Sequence, residues 1–125
     1  MGYSILVVDD SALTRAAIKR IIRMIDIDVE QILEAADGAQ ALRVLDTQNV
    51  HLVLADLNMP QMDGVEFFHR MKQIQEHAQI PVIVVSTESS VTRVRELLAE
   101  GVRDFLHKPF TPEEFRQIIT KNLEV

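Results

Sequence analysis

Asp9-Asp10, Asp56, Ser86-Thr87 and Lys108 are the residues whose types and spacing could do chemistry together. Each group follows a short apolar stretch. Ile5-Leu6-Val7-Val8 precedes the acidic pair, Leu52-Val53-Leu54-Ala55 precedes Asp56, and Ile80-Pro81-Val82-Ile83-Val84-Val85 precedes Ser86. The alternating segment Val102 to His107 precedes Lys108. Such stretches read as strands, the first three covered on both faces and the last at an edge. Ligands of open parallel sheets bind outside the carboxyl ends of the strands, near the point where strand order reverses. With the order 2-1-3-4-5, the first and third strands are neighbours and three carboxylates share one crevice. Like charges so close destabilise a fold unless a cation intervenes. Oxygen ligands with no His or Cys nearby favour Mg²⁺, which uses one or two carboxylates and keeps several waters; a calcium cage needs more ligands. An ionised aspartate beside Mg²⁺, with an ammonium and a hydroxyl on its far side, is arranged to attack phosphorus and neutralise the transferred oxygens.

The segments between the strands must then be helices that hold the sheet. Leu13, Ala17, Ile21 and Met24 form one apolar stripe, with Arg15, Lys19, Arg20 and Arg23 read as a solvated basic face. Val65, Phe68 and Met71 form a second stripe. Ala41-Leu42-Leu45, Val91-Val94-Leu98 ended by Gly101, and Phe115-Ile118-Ile119 suggest three more helices. Thr111-Pro112-Glu113-Glu114 offers a cap, a proline at the first helical position and a capping-box glutamate. Val29 to Ala35 supplies a weak second strand whose end, Ala35-Ala36-Asp37-Gly38, suits an edge away from the site. Five strands alternating with five helices predict an α/β, doubly wound parallel sheet of flavodoxin-like type, with helices on both faces.

The 125 residues match one compact domain, 1–125, with no room for an attached output domain, so a signal would pass to another molecule. A net charge of −6 disfavours a general grip on nucleic acid or an anionic membrane. Cysteine is absent, which removes thiolate chemistry and Cys-ligated zinc, and fits a cytoplasmic setting. The first residues lack the basic start and apolar core of a signal peptide.

Ile5-Leu6-Val7-Val8-Asp9-Asp10-Ser11, Asp56 to Gly64, Ser86-Thr87-Glu88 and Phe105-Leu106-His107-Lys108-Pro109-Phe110 together resemble two-component response-regulator receiver domains over essentially the whole chain, most nearly the single-domain chemotaxis type. Chemotaxis regulators of that type are a standard instance of the 2-1-3-4-5 order. The resemblance implies that Asp56 takes a phosphoryl group from phosphohistidine on a sensor histidine kinase or histidine phosphotransfer protein. It implies that Asp9, Asp10, Asp56 and the Asn58 main-chain carbonyl organise Mg²⁺. Ser86 and Phe105 would act as switch residues, Lys108 would bridge the phosphoryl group to the acids, and the Lys108-Pro109 bond would be cis. The face of the fourth helix, fifth strand and fifth helix would then change shape for a downstream protein, with the chain a monomer or a weak, phosphorylation-dependent dimer.

Four positions depart from or tune this pattern. Thr87 stands where many receivers have Ala or Gly, Phe105 replaces the tyrosine of chemotaxis regulators, and Asn58 and Glu88 lie at the mouth of the site. Plainer roles compete with the sharp ones: Asp9-Asp10 or Ser86-Thr87 as helix caps, Phe105 as an edge aromatic, and His107 as a solvated neighbour on its face. An enzyme of the haloacid-dehalogenase type also uses a strand-end aspartate, but it places a second acid where this chain has Asn58. A receiver-shaped adaptor without phosphate and a dinucleotide binder are further alternatives. The last lacks a glycine-rich loop after the first strand.

Overall fold

The computed structural model describes residues 2–123. Strands β1 (Tyr3–Val8), β2 (Val29–Ala35), β3 (Leu52–Ala55), β4 (Val82–Ser86) and β5 (Asp104–His107) alternate with helices α1 (Ala12–Met24), α2 (Gly38–Thr47), α3 (Gly64–Gln73), α4 (Val91–Ala99) and α5 (Pro112–Leu123). All strand pairs are parallel and the order is β2-β1-β3-β4-β5, as the sequence predicts. No helix among the described residues is long and apolar enough to cross a membrane.

Strand alternation divides the core in two. Leu6, Val8, Val53, Ala55, Val82 and Val84 face one way and meet Ala41, Leu45, Phe67, Phe68, Met71 and Leu97 of α2, α3 and α4. Ile5, Val7, Leu52, Leu54, Ile83 and Val85 face the other way, against Ile18, Ile22, Phe115 and Ile119 of α1 and α5. Successive residues of one strand therefore serve both layers, which explains why β1, β3 and β4 are apolar at nearly every position.

Helix boundaries follow local chemistry. Ser11 caps α1 by accepting the Thr14 N–H, Asp37 caps α2, Asp63 caps α3 and Ser90 caps α4. The capping box on α5 forms as the sequence predicts: Glu114 N–H donates to Thr111 Oγ1, and Thr111 N–H donates to Glu114 Oε1.

Two predicted stripes are corrected. On α1 the buried residues are Ile18 and Ile22, whereas Leu13 and Met24 are 83% and 66% exposed and Ala17 is also exposed. The helix carries more apolar surface than one sheet face can cover: Ile18 and Ile22, with Ile21 half-buried beside them, take the core, while Leu13, Ala17 and Met24 are left to solvent. On α4 only Leu97 is buried, and Val91 and Leu98 remain exposed. Two strand limits also move: β4 begins at Val82 because Ile80 and Pro81 precede its pairing, and β5 begins at Asp104.

Candidate functional site

The register carries the site. Val8 pairs with Ala55, so Asp9 and Asp56 are the next residues on adjacent strands. Ser86 pairs with His107, so Lys108 follows directly beside the end of β4. Lys108 Nζ donates to Asp9 Oδ2 at 2.9 Å and to Asp56 Oδ2 at 3.1 Å, across 99 and 52 residues of sequence. The two aspartates are thereby held side by side around one ammonium.

Each aspartate is also fixed by its own turn. Asp9, only 3% exposed, accepts the Ser11 N–H on Oδ1 at 2.9 Å. Asp56 Oδ1 accepts the main-chain N–H groups of Leu57 at 2.7 Å and Asn58 at 3.3 Å. These donors fix the orientation of both carboxylates. At Lys108, burial on its own pushes the ammonium toward neutrality, but the hydrogen bonds and charges of Asp9 and Asp56 outweigh it and hold its pKa above the ordinary lysine value.

The expected crowd of three carboxylates is therefore two carboxylates and an ammonium. Asp10 is exposed on the rim, and among the described residues no three His, Asp or Glu side chains gather into a ready metal cluster. Lys108 supplies a positive charge between Asp9 and Asp56. Carboxylates on adjacent strand ends, with the exposed Asp10 beside them, are all-oxygen ligands that still suit Mg²⁺, whose shell is completed largely by water.

Ser86 is fully buried, and its Oγ accepts the Glu88 N–H at 3.2 Å. It does not cap α4, since Ser90 does, and Asp9 likewise leaves the capping of α1 to Ser11. The Glu88 carboxylate turns toward the start of α4, accepting the N–H groups of Ser89 and Ser90. Thr87 and Asn58 are exposed at the mouth. Phe105 is half-buried against the α2-α3-α4 layer and lines a hollow with Val91, Val94, Arg95 and the exposed His107. The Lys108-Pro109 peptide is cis.

Two contributors escape sequence reading. Gly64 N–H donates to Leu57 O at 2.9 Å, and the start of α3 lies so close to Asp56 that no side chain fits at Gly64. Arg15 and Lys19 do not belong to a free basic face: both bind Glu34, at 2.9 and 2.7 Å. The Lys19 hydrogen bond foremost, then Arg15, lowers the pKa of Glu34 against the opposing effect of burial.

The response regulator receiver domain model matches residues 5–120. The chain belongs to that family. This receiver is 37% identical to the two-component response regulator ORR3 of Oryza sativa subsp. indica over 118 residues, covering 94% of this chain and 88% of the relative. It is 34% identical to ORR5 of Oryza sativa subsp. japonica over 120 residues, covering 95% and 87%. Among solved structures, the chemotaxis response regulator CheY4 of Vibrio cholerae superposes with a TM-score of 0.88 at 28% identity, covering 98% of the receiver and 100% of that chain. A response regulator from Chloroflexus aurantiacus shares the fold at a TM-score of 0.89 and 21% identity, with full coverage of both chains. The receiver therefore takes part in phosphorelay signalling, and receivers as a family generally bind Mg²⁺.

Proposed function

We propose that this receiver accepts a phosphoryl group on Asp56 from phosphohistidine on a histidine kinase or phosphotransfer protein, and passes the signal to a downstream protein. The observation that carries the reading is the Lys108 ammonium bridging Asp9 and Asp56 at the ends of adjacent strands. A carboxylate oxygen of Asp56 forms the new bond to phosphorus. The phosphorus–nitrogen bond of the donor breaks, its electron pair stays on the imidazole, and that nitrogen takes up a proton. Asp56 is already ionised, so no base is needed. Asp9, Asp10, Asp56 and the Asn58 main-chain carbonyl would hold Mg²⁺, which when bound neutralises charge on the phosphoryl oxygens. Lys108 and the Ser86 hydroxyl supply the remaining contacts to those oxygens, and Phe105 follows Ser86 as the switch.

The exposed Leu13 stripe supports the donor's identity. Leu13, Ala17, Ile21, Thr87, Pro109 and Phe110 line an apolar groove of about 530 Å³ beside Lys108. A helix seated there would bring a histidine up to the acidic pocket. On the output side, α4 buries a single side chain, the sparse anchoring expected of a segment that moves. A change in α4, β5 and α5 would bias binding of a downstream protein. In this reading the protein works in the cytoplasm through protein contacts, alone or as a weak phosphorylation-dependent dimer, without direct nucleic-acid binding. A self-sufficient phosphatase is disfavoured because Asn58 stands where that chemistry needs an acid.

Incubation with acetyl phosphate and Mg²⁺ should add one phosphoryl group by intact mass, and a chelator should abolish it. Sustained turnover of phosphate esters with no adduct would replace this reading with an enzymatic one. Thr87 narrows the approach to the same pocket, so Thr87→Ala should both gain and lose the phosphoryl group faster than the wild type. Equal rates in the two proteins, followed by mass over time, would remove that role.

A further inference from the structure

Every polar atom of Asp9 is held. Its N–H donates to Ala35 O at 3.1 Å, Oδ1 accepts from Ser11, Oδ2 accepts from Lys108, and its main-chain carbonyl accepts from Arg15 Nη1 at 2.5 Å. The last bond comes from a side chain that is itself anchored. Arg15 Nε donates to Glu34 Oε1, and the other oxygen of Glu34 is taken by Lys19. Glu34 and Ala35 are consecutive residues at the end of β2, so one strand end fixes Asp9 twice, once directly and once through the guanidinium.

The Asp9 carbonyl and the Asp10 N–H belong to one planar peptide. Fixing that carbonyl fixes the plane, and with it where Asp10 stands relative to Asp9. We infer that Arg15, held by Glu34 and Lys19, is a positioning residue for the Asp9-Asp10 turn and sets the Mg²⁺ affinity of the site. The inference rests on the reading that these acids hold Mg²⁺. Charge and position make opposite demands here. A guanidinium beside the pocket repels a divalent cation, so if charge alone mattered its removal would tighten binding. If position matters, removal weakens binding, as loss of supports behind metal ligands generally does.

The test is a Mg²⁺ titration of melting temperature on wild type, Arg15→Ala, Arg15→Lys and Glu34→Gln, with the Mg²⁺ dependence of acetyl phosphate labelling measured alongside. Arg15→Ala should raise the half-saturating Mg²⁺ concentration about 10-fold, while its metal-free melting temperature and its labelling rate at saturating Mg²⁺ stay near wild type. Arg15→Lys should not rescue, because an ammonium lacks the planar fork that reaches Glu34 and the carbonyl together. Glu34→Gln keeps an oxygen for Arg15 Nε and should shift the midpoint less, in the same direction. Unchanged or tighter Mg²⁺ binding in Arg15→Ala overturns the inference. So does a collapse of Arg15→Ala without metal while Glu34→Gln binds Mg²⁺ as wild type does, which marks a purely structural tie. A wild type that Mg²⁺ neither stabilises nor renders competent for labelling removes the underlying reading, and the inference falls with it.

Discussion

Lys108→Ala should destabilise the metal-free protein at neutral pH by about 3 kcal/mol, because it strands two adjacent carboxylates that are largely withdrawn from water. The side chains of Asp9 and Asp56 are 4% and 13% exposed, and both depend on the same ammonium. Backbone donors from Ser11, Leu57 and Asn58 remain, which keeps the loss short of unfolding. Added Mg²⁺ should then raise the stability of the variant by more than that of the wild type, since the cation supplies the missing charge. The pH dependence has a definite sign. The folded pKa of Lys108 lies above the unfolded value of 10.5, so its contribution is fully present below that value and is lost as pH rises through the folded pKa. The stability gap between wild type and variant should therefore hold from neutral pH to about 10.5 and shrink above it. Phosphorylation should slow by about 100-fold or more, the scale for removing one preorganised donor from a developing charge. Urea melts in chelator and in Mg²⁺ check the stability effect. A variant as stable as wild type without metal, or one that gains nothing extra from Mg²⁺, would contradict the bridging role.

Gly64→Ala should be nearly as damaging, for a steric reason. A Cβ there would lie 2.1 Å from Asp56 O, 2.8 Å from Leu57 Cα and 3.0 Å from Asp56 C. All three are backbone atoms and cannot swing aside. The first turn of α3 would have to move off the Asp56 strand end, breaking the Gly64 N–H bond to Leu57 O. A cost of about 3 kcal/mol and a fall of about 10 °C in melting temperature are expected, together with slower labelling as Asp56 is displaced. Gly101→Ala makes a useful contrast. At φ +112° it is strained for backbone reasons, yet its Cβ would meet only side-chain atoms at 3.5 Å or more. It should lose stability without slowing Asp56 chemistry. Gly64→Ala with wild-type melting and labelling would show that the close approach does not constrain the acceptor.

The strand ends were legible in the sequence because buried parallel strands leave no alternative to continuous apolar runs, and the first polar residue after each run marks the site edge. Asp9, Asp56 and Ser86 follow from that rule and Lys108 from the end of the alternating edge segment, and the sheet order brings Asp9, Asp56 and Lys108 into direct contact. Which arc of α1 turns inward was not legible. Leu13-Ala17-Ile21-Met24 and Ile18-Ile22 both repeat at helical spacing, and only the shape of the sheet face decides between them. Leu13, Ala17 and Ile21 of the first stripe line the groove beside the site. The Leu98 side of α4 misled for the same reason: an exposed apolar face has the same period as a buried one. Arg15 was hidden differently. Its spacing within α1 looks like a solvated face, and its partners, the Asp9 carbonyl and Glu34, are a backbone atom and an edge-strand residue that no helical periodicity connects.

Whether one side chain, Asp56, carries the phosphoryl group is open to a direct measurement. The protein is labelled with acetyl phosphate and Mg²⁺, the acyl phosphate is reduced with borohydride, and the reduced residue is located by peptide fragmentation, with Asp56→Asn treated in parallel. Reduction should appear at position 56 alone in the wild type and nowhere in Asp56→Asn. Modification at Asp9 or Asp10 instead, or an equal yield of phosphorylated protein from Asp56→Asn, would contradict the assignment of Asp56 as the acceptor.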